Sequence, residues 1–478
     1  MPDVHLPVGD VDETRRRRLA RLRRIGAGGT FESLKVKDFR VLWLGFMGMW
    51  TSLQFQQVAR GYLAYRLTGS AFAIGLVTLA IGLPRIVLSP VGGWLADRCE
   101  KRAVLSWTSL LLAACGMATA ALQLVGALDV PWLIALGLVQ GSAFGLAMPA
   151  RQAYVPVVVG RSHLLSNAIS LNTAGMNLTR MVGPALAGLL IAAPFVGLAG
   201  VFFLTGVCYL WVWWSVYRVE NPGAPVAAPQ RMGTSIKAGF SYVRSSPALL
   251  ALMSLGFVPL ALGMPYINLM PAVADGPLRG GAALLGLMLS IGGVGSLCGT
   301  LMVASLARFP RKAALQLGLG VGFGVSLLGF AFFVRQGQLV LAIPFLFATG
   351  LCGDAYMALN SSLIMMSTDA SMYGMVMGVY MTTQSIRPVS VLPISSLADA
   401  VGTPTTLLGA GGLVALFVAS VATFYPGYRR IGTGGATPPP SGSAGDGALA
   451  PLAPLAPLAP PAGVHHAPAT APIEERPL

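Results

Sequence analysis

The sequence predicts an all-α integral membrane protein of twelve transmembrane helices, arranged as two pseudo-symmetric six-helix bundles with both termini cytoplasmic. Three observations predict it: too little polar surface for water, a series of apolar runs of bilayer length, and a one-sided distribution of lysine and arginine. Of 478 residues, 55% are hydrophobic and 10% charged, with 59 glycines besides, and the mean hydropathy is +0.70. A soluble domain carries about 25% charged residues, so an ordinary water-soluble enzyme is excluded. The net charge of +15 and pI near 10.1 would also suit a nucleic-acid binder. Placement of the cations decides that question.

A hydrocarbon core of about 30 Å takes roughly 20 apolar residues of helix. Apolar runs between charged or turn-rich breaks place the first six spans at 40–64, 70–96, 103–125, 131–150, 165–193 and 198–217. The second six fall at 247–273, 282–306, 313–334, 339–366, 372–398 and 404–425. Glycine and proline punctuate many of these runs, as membrane helices tolerate. The chain thus divides into a basic tail (1–39), a six-helix bundle (40–217), a cytoplasmic linker with Pro222, Pro225 and Pro229 (218–246), a second bundle (247–425) and a tail (426–478). That last tail is rich in Pro, Ala and Gly and repeats Ala-Pro-Leu between 449 and 460, a composition that cannot bury a core.

With the N-terminus inside, 25 of the 32 Lys and Arg fall on the cytoplasmic side. Only Arg66, Arg279 and Arg335 lie outside, while Arg60, Arg85, Arg180 and Arg387 sit within spans. This bias sets orientation by the positive-inside rule. The basic charge therefore reads as topology and contact with anionic lipid heads, not nucleic-acid binding. The N-terminus lacks the short apolar region and cleavage site of a signal peptide. Cys99, Cys115, Cys208, Cys298 and Cys352 form no ligand cluster, and His465 and His466 sit in the low-complexity tail, so no metal site is expected. No P-loop, HExxH or nucleophile–base pair is present, and neither catalytic residues nor a cofactor are expected.

The two sets of six repeat at an offset near 210 residues. Asn177-Leu-Thr-Arg180 matches Gln384-Ser-Ile-Arg387, the run 141–151 parallels 350–360, and the loop 97–102 parallels 308–312. On these residues, and on Gly93-Trp-Leu-Ala-Asp97-Arg98-Cys-Glu-Lys101-Arg102, the chain resembles the major facilitator superfamily. Tyr65-Arg-Leu-Thr-Gly-Ser-Ala71, Pro84-Arg85, Pro149-Ala-Arg151-Gln-Ala and Arg180-Met-Val-Gly183-Pro184 are similar to its branch of bacterial drug and metabolite exporters, which includes the enterobactin exporter. The likeness runs from about 35 to 425. It departs from the signature at Glu100, where the family has glycine, and from the exporters' proline–glycine motif at Thr179 and Ala187.

The signature loop suggests a gate: Gly93 for close helix approach, Asp97 for pairing or helix capping across the cytoplasmic face, with Arg98, Lys101 and Arg102 beside it. Gly183, Pro184 and Gly188 form a kink motif in span five. Charged groups within a bilayer are costly and mark function. Asp354 is accordingly the candidate proton carrier, and Arg85, Arg180 and Arg387 are the intramembrane cations. The resemblance implies a central cavity lined by spans one, four, seven and ten, with two, five, eight and eleven between the halves. Gln54, Gln57, Tyr266, Asn268, Tyr356 and Asn360 are the candidate substrate contacts. The surplus of arginine would suit an anionic substrate such as a catecholate siderophore.

These features together predict a monomeric multi-pass transporter of the cytoplasmic (inner) membrane. It would export small amphipathic molecules by alternating access, with proton antiport as the energy source. The alternatives are an importer or facilitator, and a non-transporting sensor or scaffold.

Overall fold

A computed structural model describes residues 31–160, 164–224, 240–306, 309–369, 372–385, 387–425 and 428. The basic run before residue 31, residues 225–239 of the linker and the Ala-Pro-Leu tail lie outside the described residues. The chain divides into a unit Met1–Gly435 and a second, Ala436–Leu478, which falls wholly outside them.

After a short turn at Glu32–Lys35 the first half contains α1 (Lys37–Thr68), α2 (Ala71–Arg98), α3 (Lys101–Leu124), α4 (Val130–Val159), α5 (Leu164–Ala192) and α6 (Gly197–Arg218). The second half contains α7a (Pro247–Leu262), α7b (Tyr266–Asp275), α8 (Gly281–Ser305), α9 (Lys312–Arg335), α10 (Leu339–Met366), α11a (Tyr373–Ser385), α11b (Arg387–Val401) and α12 (Thr403–Phe424). No strand occurs among the described residues. Local chemistry explains several boundaries. Ser70, Asp129 and Ser246 accept hydrogen bonds from the first-turn amides of α2, α4 and α7a. Gly69 closes α1 in the left-handed conformation at φ 67°.

Ten of these helices, counting Pro247–Asp275 as one, are long and apolar enough to cross a membrane by length and composition. The helix α1 falls outside that criterion because Gln54, Gln56, Gln57 and Arg60 interrupt its apolar run, and the described segments of α11, Tyr373–Ser385 and Arg387–Val401, are each shorter than a crossing. Large apolar side chains on the outer surface stand free, among them Trp107, Val340 and Leu416 at 67–79% exposure. A water-soluble monomer does not display so much apolar surface.

Within the halves, α2 packs on α4, α3 on α6 and α1 on α6, and correspondingly α8 on α10 and α9 on both α10 and α12. Glycine permits this closeness. A Cβ at Gly141 would lie 2.1 Å from the Ile81 carbonyl oxygen, and one at Gly350 2.1 Å from that of Gly292. Those two contacts sit at the repeat offset, so the internal duplication is visible in the packing itself. Between halves, α5 packs on α8 and α2 on α11b.

The buried core is divided unevenly along the helix axes. Call the end with Arg98, Lys101, Arg102 and Lys312 the basic end. There the first half has its own core, including Phe39, Phe46, Tyr154 and Tyr209, and the second half a separate one, including Leu249, Tyr356, Leu363 and Tyr428. At the opposite end one continuous core joins both halves, from Ala59 and Ile74 to Met270, Phe330 and Val414. The halves are sealed together at the opposite end and parted at the basic end.

One expectation fails here. Arg151 is not a loop cation at the end of span four. The helix α4 continues through Pro149 and Pro156 to Val159, and Arg151 is buried with its guanidinium carbon 4.4 Å from the Trp50 ring centroid and 5.4 Å from that of Phe46. A cation–π arrangement takes the place of solvent.

Candidate functional site

A cavity of about 510 Å³ lies between the halves, walled by α1, α2 and α5 on one side and α7b, α8 and α11b on the other. Gln54, Gln57, Tyr266 and Asn268 line it as expected, with Trp50, Met176 and Met288 forming apolar wall. Arg85, Arg180 and Arg387 line it too, together with Arg60, so the candidate cations converge on one space. Asp354 on α10 reaches that group across the halves: Arg180 Nη2 lies 2.8 Å from Asp354 Oδ2. The carboxylate is largely enclosed, and the pair is the charged link between α5 and α10.

Tyr356 and Asn360 are not cavity residues. Both are fully buried in the second half. Tyr356 donates to the Leu255 carbonyl at 2.7 Å, and Asn360 Oδ1 accepts from Gln316 Nε2 at 2.8 Å, with Tyr428 donating to the same Gln316. Glycine makes room for this network: a Cβ at Gly256 would lie 2.6 Å from Asn360 Nδ2, and one at Gly320 2.7 Å from Tyr356 Cε2. Their face of α10 points toward α7a and α9 and away from the partner half.

The kink motif lies where the halves meet. A Cβ on Gly188 would sit 2.4 Å from the Ala282 carbonyl oxygen and 2.8 Å from Gly286 Cα, so α5 and α8 touch backbone to backbone. One turn back, after Pro184, the Ala185 amide donates to Ser290 Oγ on α8 at 2.9 Å. Gly183 faces Gln54 of α1.

At the basic end the signature loop divides into two roles. Lys101 is buried and donates to the Ala224 carbonyl at 2.9 Å, while Arg102 donates to the Val219 carbonyl at 3.2 Å. Tyr154 donates to the Asn221 carbonyl at 2.6 Å, so the start of the linker is pinned to α3 and α4. Arg98 stacks over Trp94, its guanidinium carbon 4.7 Å from the ring centroid. Asp97 is exposed and makes no ion pair or hydrogen bond among the described residues, in keeping with the parted halves. Gly93 meets nothing within 4 Å; its neighbour Gly92 makes the close approach, 2.4 Å from the Gly145 carbonyl oxygen to a Cβ there. Near the basic end the tight contact of α2 with α4 therefore belongs to Gly92, and not to Gly93.

The seal at the opposite end contains a contact the sequence did not suggest. Asp399, at the end of α11b, accepts from the first amides of α2 in the other half: Ala71 N–H at 2.6 Å and Phe72 N–H at 3.0 Å, with the Ser70 hydroxyl as third donor. A carboxylate at a helix N-terminus is favoured by both hydrogen bonding and the helix dipole. Nearby, Arg66 lies 3.9 Å from Asp275, and a Cβ on Gly61 would lie 2.9 Å from Pro271 Cγ. Spacing gives no sign of the cap, since its partners are some 328 residues apart.

Two half-bundles around a polar, cation-lined cavity, closed at one end and parted at the other, define a membrane transporter of the major facilitator type. Residues 28–428 match the transmembrane secretion effector family, and the chain belongs to it. It is a multi-pass membrane transporter and not an enzyme. The chain is 28% identical over 383 residues to the multidrug efflux pump Tap of Mycolicibacterium fortuitum, covering 78% of this chain and 92% of that protein. It is likewise 28% identical over 402 residues to the enterobactin exporter EntS of Escherichia coli, covering 81% and 86%. Among solved structures, the fold is similar to a D-xylose–proton symporter (TM-score 0.63, 13% identity, 82% and 99% coverage). It is also similar to a bacterial homologue of the human lysosomal transporter Spinster (TM-score 0.61, 12% identity, 83% and 97% coverage).

Proposed function

We propose that the chain exports small amphipathic molecules, such as drugs or a siderophore, across the bacterial cytoplasmic membrane by alternating access coupled to proton antiport. In this reading α1 to α12 make twelve crossings in two six-helix bundles, with both termini inside and the basic end facing the cytoplasm. Exposed Trp94, Trp107, Trp211 and Trp214 suit the headgroup level of that leaflet. Export by Tap and EntS supports the direction.

The observation that carries the reading is the shared cavity, sealed at one end by a joint core and bounded at the other by two separate ones. This is one of the two states that alternating access needs. Loading occurs from the cytoplasm. Rocking about the α5–α8 and α2–α11b contacts then breaks the Asp399 cap and closes the basic end, where Asp97 becomes the latch. The Arg180–Asp354 pair is the coupling element. A proton on Asp354 removes one of the two charges and frees α5 from α10; loss of the proton restores the link.

Inside-out vesicles from an expressing strain provide the test. Acidifying their interior is expected to drive accumulation of an amphipathic dye, and an ionophore that collapses the pH gradient to stop it. Dye leaving faster than from control vesicles would favour an importer, and no difference from control vesicles a scaffold.

A further inference from the structure

The charge balance of the cavity is unusual for a site enclosed by membrane. Four arginines border it: Arg60, Arg85, Arg180 and Arg387. Among the described residues only Arg180 has an acid partner within the membrane-spanning region, Asp354. Arg60 is 3% exposed, and its Nε and Nη1 have no hydrogen-bond partner. Its electrostatic neighbours are Tyr209 and Cys115, neither of which is charged at neutral pH. Arg387 lies within electrostatic range of Arg180 and Arg85 and of Asp354, which Arg180 already holds, so these three guanidiniums share one carboxylate. The packing brings α2, which carries Arg85, and α11b, which carries Arg387, together. Gly82, one turn before Arg85, abuts Pro388, next to Arg387, so closely that a Cβ on it would overlap the proline ring.

Uncompensated guanidiniums at membrane depth are expensive, and like charges in a low-dielectric space repel. Fixed donors of this kind also match the geometry of carboxylate, sulfonate and phosphate groups. We propose that the cavity is an organic-anion site. The substrate's oxyanion lies between Arg85 of α2 and Arg387 of α11b, with Arg60 as the deeper cation, and its apolar body lies against Trp50, Met176 and Met288. The proposal rests on the reading of the chain as an exporter of small molecules and names their class. It also gives the bound anion a mechanical place, because Arg85 and Arg387 belong to different halves.

The test uses the full chain in phosphatidylcholine nanodiscs and two dyes with the same aromatic body: 8-anilinonaphthalene-1-sulfonate, an anion, and N-phenyl-1-naphthylamine, which is uncharged. Arg85→Gln and Arg387→Gln are each expected to weaken sulfonate binding at least about tenfold while leaving the neutral dye within about twofold, with Arg→Lys at either position retaining much of the affinity. Equal losses for both dyes would make the arginines structural and overturn the proposal, as would no loss for either. Repeating the titration with phosphatidylglycerol in the nanodiscs separates substrate from lipid. Unchanged sulfonate binding supports the proposal, whereas displacement by that lipid assigns the site to a headgroup and overturns it. Vesicle transport distinguishes the underlying reading. Arginine-dependent sulfonate binding without movement of any dye would defeat export and leave the anion site standing. Export of a cationic dye by a protein that binds no sulfonate would do the reverse.

Discussion

Asp354 and Arg180 meet at 2.8 Å from opposite halves, and each depends on the other for compensation in a medium that penalises isolated charge. Replacing Asp354 with Asn keeps the shape and removes the titrating group. Gradient-driven transport by that variant is expected to fall at least about tenfold, while exchange of labelled for unlabelled substrate without a gradient persists. Wild-type gradient dependence in Asp354→Asn would remove the residue from coupling. At Gly320 the space filled by Tyr356 is so close that Gly320→Ala is expected to cost about 1–3 kcal/mol by overpacking, seen as a lowered thermal midpoint in detergent. Residue type in the sequence identified Asp354 and three of the four cavity arginines, because charge in an apolar run is conspicuous. It could not separate Tyr266 and Asn268, which face the cavity, from Tyr356 and Asn360, which face α7a and α9. Both pairs have the same composition, and only the rotation of each helix against its neighbours distinguishes them.

Helix ends and crossings decide which state the molecule holds. The Asp399 cap joins α11b to α2 by three hydrogen bonds, and loss of a helix cap costs about 0.5–2 kcal/mol, enough to shift a two-state balance several-fold. Asp399→Ala is therefore expected to populate the state open at the opposite end. A cysteine replacing Gln57, in a background freed of the five native cysteines, should then react several-fold faster with an impermeant maleimide in right-side-out vesicles. An unchanged rate would show that the cap does not hold the seal. Gly188→Ala would force α5 away from the α8 backbone, and transport is expected to fall while expression and membrane insertion remain. The apolar runs disclosed the helices to within a few residues in most cases. They stopped short at 150, ahead of a cation, whereas the helix runs on to Val159, and Arg151 was misplaced with it. The break within α7 arises at Gly263–Pro265, residues that membrane helices often carry without breaking.

At the scale of the whole chain, the duplication was legible as weak matches at one offset and returns as paired glycine contacts, Gly141 with Ile81 and Gly350 with Gly292. What no single sequence displays is the conformational state, because in the proposed cycle one set of residues satisfies two packings. The division into one shared core and two separate ones is the mark of the state seen here. The central claim is that the two ends open in alternation. Electron spin–spin distances measured on the reconstituted full chain test it most directly, with one label pair at Leu67 and Val401 near the sealed end and another at Val91 and Met366 near the basic end. All four positions are exposed, and each pair spans the two halves. On lowering pH and adding a transported dye, the first pair is expected to lengthen as the second shortens. Distances that change together, or a basic-end pair that never shortens, would contradict the account.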